Sequence, residues 1–181
     1  LPVLTTTLEQ TPAPASHVRF GDGAFSLLGY DVQRQDLAPG QPGLRVTYYW
    51  QTGRGAPQDL SLFLQVVEAG ANTPAAQIDT FPTYGALPTR LWPGDRILID
   101  QIVLPLPPGA DSLSGAIVTG LYDRATMVRM PAYDQAGERL ANDAEIRALL
   151  AATLPLSPTY TLRGGTNEVL RNMIAKNLQG K

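Results

Sequence analysis

The chain of 181 residues is long enough for one domain of ordinary size with its own core and short for two. Its 17 glycines and 16 prolines make about a fifth of the residues, against roughly 12% in an average protein, which predicts many turns and few long helices. With 17% charged residues, 44% hydrophobic residues and a formal net charge of −2, the composition argues against disorder, a coiled coil and a nucleic-acid partner, while the absence of Cys and the single His remove thiol catalysis, disulfide frameworks and Cys/His zinc sites.

No window approaches the ~18 consecutive apolar residues of a transmembrane helix, so no membrane span is expected. The chain opens at Leu1 without an initiator Met, which leaves room for a signal peptide, an anchor or a larger domain ahead of it. Absence of Cys suits an extracytoplasmic protein. Residues 1–16 carry Pro12 and Pro14, which neither a helix nor a central strand accepts, and read as an extended linker or a lone edge strand.

From Val18 onward short apolar runs alternate with turn residues. The candidate strands are Val18–Phe20, Phe25–Val32, Leu44–Thr52, Leu60–Val67, Ala75–Thr80, Arg96–Leu104, Leu113–Tyr122 and Met127–Ala132, separated by turns such as Gly21-Asp22-Gly23, Ala38-Pro39-Gly40 and Trp92-Pro93-Gly94-Asp95. Short strands with turn signals at this spacing predict a β-sandwich or barrel. Along Leu44–Thr52, Leu44, Val46, Tyr48 and Trp50 share the expected core face, because a one-residue slip would bury Arg45 and Gln51. Along Leu60–Val67 the core set is Leu62, Leu64 and Val66. Asp22, Asp95, Asp100, Asp123 and Asp134 are read as turn carboxylates that cap local N–H groups; whether some converge on a loop Ca²⁺ is left open, and no D-x-[DN]-x-[DN]-G loop is present.

Past Tyr133 the pattern changes. Asn142 followed by Glu145 resembles a capping box, and Ile146, Leu149 and Leu150 recur at helical spacing, predicting a short helix to Ala152. A second helix is expected after Thr166, with Leu170, Ile174 and Leu178 on one face and Met173 beside them. Arg163, Arg171, Lys176 and Lys181 stand against Glu168 in the last 22 residues, so a basic tail follows an acidic body, and both lysines of the chain lie in that tail. The organisation expected is 1–16 linker or edge strand, 17–140 β-sandwich and 141–181 helical extension. The fold class is all-β, an antiparallel Ig-like or jelly-roll-like sandwich with two short C-terminal helices.

Candidate binding residues are aromatic. Trp92, Tyr49 and Tyr84 each offer a flat apolar face with a polar edge, as sugar recognition uses; the competing account has Trp50 and Tyr48 in the core and Trp92 plugging the sandwich end, with Tyr49 facing outward. Gly164, Gly165 and Thr166 before a helix could receive an anion on free N–H groups, or form an ordinary Gly-rich turn with a Thr cap. The stripe of Leu170, Met173, Ile174 and Leu178 needs cover, from the sandwich or from a partner. His17, the sole imidazole, lies before the first strand with no nucleophile-elbow pattern in the chain, and reads as a strand-end residue.

The stretches VRFGDGAFSLLGYDV, LRVTYYWQT, LFLQVVEAG, GALPTRLWPGDRILID, LPLPPG and GLYDRAT resemble, in order and spacing, the extracytoplasmic C-terminal β-sandwich domain of bacterial multi-pass membrane glycosyltransferases of the mannosyltransferase-like kind. That resemblance spans Val18 to about Asn142 and implies a non-catalytic accessory module, since transfer chemistry in that family is expected in the membrane part. The tail TLRGGTNEVLRNMIAKNLQG separately resembles the C-terminal motif of acyl-CoA dehydrogenases, which implies that Gly164, Gly165 and Thr166 correspond to a flavin-contacting turn and Arg171–Leu178 to a helix packed in an oligomer. Where some members of that family carry a catalytic Glu, this chain has Gly164. The function expected is a non-catalytic extracytoplasmic module for binding or assembly, without cofactor, engaging a protein partner or oligomer through the C-terminal helix. The alternatives are a carbohydrate-binding module beside a glycosyltransferase, with a glycan as ligand, and a flavoprotein-related fragment.

Overall fold

The computed structural model describes residues 4–6, 15–53, 58–94, 96–108, 110 and 115–149. Its elements are β1 (Leu4–Thr6), β2 (Ala15–Phe20), β3 (Phe25–Ala38), β4 (Gln41–Thr52), β5 (Ser61–Glu68), β6 (Pro74–Thr80), β7 (Ile97–Pro105), β8 (Gly115–Asp123), β9 (Val128–Arg129), β10 (Ala132–Tyr133) and β11 (Glu145–Leu149). Short 3-10 turns occupy Pro82–Gly85, Thr89–Leu91 and Ala141–Asp143. The strands form a six-stranded sheet in the order β1-β7-β4-β3-β2-β10 and a five-stranded sheet in which β11-β8-β5-β6 are joined by β9 beside β8. Every described pairing is antiparallel.

The alternation read from the sequence selects the faces. Leu44, Val46, Tyr48 and Trp50 of β4 and Leu62, Leu64 and Val66 of β5 are all buried in one cluster with Leu98, Ile102 and Leu104 of β7 and Ile117 and Leu121 of β8. Inner faces of both sheets thus share one core, as in a sandwich. An aromatic group runs through it: Tyr48 stacks on Trp50 with ring centroids 5.5 Å apart, and Phe20 and Trp92 lie 5.8 and 6.1 Å from Trp50. A second, smaller cluster of Phe63, Ala116, Val118, Tyr122 and Ala144 forms on the outer face of the five-stranded sheet. There the guanidinium of Arg129 sits 4.3 Å from the Phe63 ring centroid.

Two expectations are corrected. The helix predicted from Asn142 to Ala152 is a strand over Glu145–Leu149, with Glu145 paired to Thr119 and Leu149 to Gly115 on β8. Residues Ala141–Asp143 make only a 3-10 turn, in which Asn142 has φ of 57° and no side-chain cap is made, so the capping box never forms. The open edge of β8 supplies a full ladder of backbone partners, which outweighs the helical preference of an Ala-rich segment. The sheet therefore continues past the boundary expected at 140. Asp100, read as a turn carboxylate, lies within β7 and faces inward, 1% exposed. The second C-terminal helix, with Gly164, Gly165, Thr166, Leu170, Met173, Ile174 and Leu178, lies outside the described residues. No helix among the described residues is long and apolar enough to cross a membrane.

Candidate functional site

At one end of the sandwich three connections meet. The long β6–β7 connection leaves the five-stranded sheet at Phe81, turns twice and enters the other sheet at Ile97. It is tied to the β4–β5 connection by Thr89, whose hydroxyl accepts the Leu60 N–H at 2.9 Å and donates to the Gln58 carbonyl at 3.2 Å, and by the ion pair of Arg90 with Asp59. The β8–β9 turn joins them through Arg124, whose guanidinium lies 5.5 Å from the centroid of Phe81. In that turn Asp123 accepts the Ala125 N–H and the Thr126 hydroxyl, both at 2.9 Å. These bonds hold its carboxyl below the usual carboxylate range.

The connections enclose a groove of about 160 Å³ lined by Asp59, Leu60, Phe81, Pro82, Gly85, Leu87, Pro88 and Thr89. Its walls are mostly apolar, with one carboxylate at the rim. The hydroxyl of Thr89 is already engaged by backbone on both sides, so Asp59 is the polar group left facing a ligand, shared with Arg90. A volume of this order suits one ring-sized apolar group. Phe81 lines the groove, and Tyr84 and Leu91 lie on the same connection; these are three of the five large exposed hydrophobic residues described, and the others, Met127 and Val128, belong to the β8–β9 hairpin, whose Arg124 reaches Phe81.

The three aromatic candidates do not form one platform. Trp92 is 4% exposed; its ring meets Phe25 edge-on at 5.6 Å and its indole N–H donates to the Leu87 carbonyl at 3.0 Å. It plugs the sandwich end, and its ring has no open face for a sugar, which corrects its assignment as a ligand-binding residue. Tyr49 lies half-buried on the outer face of β4 with its hydroxyl donating to Asp31 Oδ2 at 3.3 Å. Burial, with the nearby Asp31 charge, lifts its pKa to about 12. Tyr84 is 50% exposed and its hydroxyl accepts the Val103 N–H at 2.9 Å, which fixes the half-exposed ring beside β7.

Sequence reasoning missed Phe81, Leu87 and Asp59, which a Pro/Gly-rich connection disguised as plain turn. Their signal is the length of that connection: 16 residues between β6 and β7 is long for a tight sandwich, and long ordered loops tend to be functional. Among the described residues no group of three or more His, Asp or Glu side chains gathers to hold a metal ion. Compared with known proteins, the chain matches no family model, no curated protein and no solved structure.

Proposed function

We propose that the chain is a non-catalytic binding module of Ig-like or jelly-roll-like character that works outside the cytoplasm as an accessory to a membrane or cell-surface protein, recognising its partner through the loop end. The observation that carries this reading is an apolar groove lined by Phe81 and Leu87, on a connection that also exposes Tyr84 and Leu91 and is cross-tied to its neighbour by Thr89 and the Arg90–Asp59 pair. Exposed apolar side chains held on a rigid frame around a pocket are the form that interface hot spots take. The likeness of six stretches to the sandwich domain of membrane glycosyltransferases supports the location and the accessory role. Sedimentation with membrane vesicles from the cell that makes the protein tests it. The wild-type chain should pellet with the vesicles, and Phe81→Ser with Leu91→Ser should shift it to the supernatant without changing its fold. A wild type that stays in the supernatant, or a double variant that pellets equally, overturns the reading.

The second reading, carbohydrate binding, is favoured by the half-exposed ring of Tyr84, clamped at its hydroxyl. A fixed, half-exposed aromatic ring is a form suited to a sugar ring. Calorimetric titration with short mannose and glucose oligosaccharides should give saccharide-dependent heat that Tyr84→Ala abolishes; the absence of heat in the wild type removes this reading.

A further inference from the structure

Asp100 is the one charged side chain in the described buried set, and nothing in the binding reading uses it. It projects into the sandwich from β7 directly opposite Tyr48. Its Oδ1 accepts the Thr83 N–H at 2.8 Å, while its Oδ2 and the Nε1 of Trp50 are both buried without a hydrogen bond of normal geometry. The turn it grips is under backbone strain: Thr83 and Tyr84 have φ of 56° and 51°, the left-handed region that residues with a Cβ avoid. Three side-chain bonds hold that conformation, from Asp100 to the Thr83 N–H, from the Thr83 hydroxyl to the Leu87 N–H at 3.0 Å and from the Tyr84 hydroxyl to the Val103 N–H at 2.9 Å. Only the first has a charged partner, and a charge-assisted bond is roughly twice as strong as a neutral one.

We propose that Asp100 is a proton-sensitive latch on the Pro82–Gly85 turn: ionised, it holds Thr83 and Tyr84 in their strained conformation, and protonated, it loosens them, so that the placement of Phe81, Gly85 and Leu87 along the groove follows pH. The titratable group that faces the carboxyl is Tyr48 from β4, on which Tyr84 of the turn also acts. Trp50 adds an indole N–H, and no Lys, Arg or His among the described residues acts on it. Tyr48 stays neutral with it, since burial first, and the Asp100 charge after it, push the Tyr48 pKa far up, while its hydroxyl bonds Thr119 at 3.0 Å. Burial likewise lifts the Asp100 carboxyl to about 6, against the pull of the Thr83 N–H and the Trp50 indole, which places the latch in mildly acidic conditions.

The inference deepens the reading of the loop end as a recognition face, and its test needs no ligand, so either can fail alone. The full chain, labelled with ¹⁵N and ¹³C, is titrated from about pH 4.5 to 7.5 by NMR. The Asp100 carboxyl carbon should titrate with a midpoint near 6, and the Thr83 amide proton should move upfield with the same midpoint as the pH falls. Exchange of the Thr83 and Tyr84 amides, corrected for the intrinsic pH effect, should rise about tenfold over that range. In Asp100→Asn the amide should sit at its acid position and not titrate. A carboxyl midpoint near 4, or a Thr83 amide that stays fixed while Asp100 titrates, overturns the latch; both readouts come from the wild type and stand even if the variant does not fold.

Discussion

Replacing Asp100 by asparagine isolates the cost of keeping a carboxylate inside the sandwich. Folding raises its pKa from 3.8 to about 6, with burial the largest cause. A carboxyl raised in this way contributes stability that is fully present below the unfolded value and is lost as the pH climbs through the folded one. At ~1.4 kcal/mol per unit, the wild type should lose about 3 kcal/mol between about pH 3 and pH 7.5, most of it between about pH 4 and 6. Asp123 and Asp143 work in the opposite sense, because turn hydrogen bonds lower the first and Arg139 the second; their contributions fade as the pH falls through their folded values, below this window. Asp100→Asn removes the charge and keeps an acceptor for the Thr83 N–H, but brings an NH₂ group toward the Trp50 indole N–H, a mismatch of about 1 kcal/mol. The variant should therefore be about 2 kcal/mol more stable than wild type at pH 7.5 and nearly flat from pH 5 to 7.5. Urea denaturation followed by the fluorescence of Trp50 and Trp92, the two tryptophans of the chain, measures this at half-unit steps. Wild-type stability that rises from pH 5 to 7.5, or a variant that keeps the wild-type slope, refutes the reasoning.

Trp92→Ala should cost about 3–5 kcal/mol in chemical denaturation, since it empties the space beside Phe25 and Trp50 and leaves the Leu87 carbonyl without its indole donor. Thr119→Val keeps the side-chain shape but strands the Tyr48 hydroxyl and the Phe63 carbonyl, which Thr119 bridges at 3.0 and 2.9 Å; about 1–3 kcal/mol should be lost in the same assay. A Cβ at Gly120 would stand 2.8 Å from the Phe63 ring and 3.0 Å from the Asp143 carbonyl oxygen, so Gly120→Ala should destabilise by about 1–3 kcal/mol and shift the Phe63 ring resonances. For Glu145–Leu149, cross-strand NOEs from Ile146 to Val118 and from Arg147 to Ile117 are expected from the register, whereas helical contacts three residues apart would restore the capping-box reading.

Where a strand is anchored by one buried face, its residues declare it. Tyr48 and Trp50 alternate with Tyr49 and Gln51, and the alternation places the first pair in the core and the second outside. The signal fades once a strand leaves the core. β3 continues from Val32 to Ala38 through Gln33, Arg34, Gln35 and Asp36, paired to β4 as far as Ala38 with Gln41; this part of the hairpin is held by backbone bonds, to which hydropathy is blind. The segment Ala144–Leu149 fails for the converse reason. Its Ala-rich, helix-spaced residues carry a local preference that the unfilled edge of β8 overrides. Asp100 was within reach, since Leu98, Ile102 and Leu104 on the same alternate positions of β7 are all core, and the pattern turns the carboxylate inward with them. The groove was not, because Asp59, Phe81 and Leu87 are separated along the chain and are brought together only by Thr89 and Arg90 bridging two connections.

The central claim is that the protein meets its partner at the loop end. Site-specific photocrosslinking in the native cell tests it most directly, with a benzophenone amino acid placed either at Phe81 or at Gln41, an exposed position in the hairpin at the other end of β4. The account predicts a discrete adduct from position 81, absent from position 41 and suppressed by Leu91→Ser. Adducts of equal yield from both positions, or from position 41 alone, would contradict it.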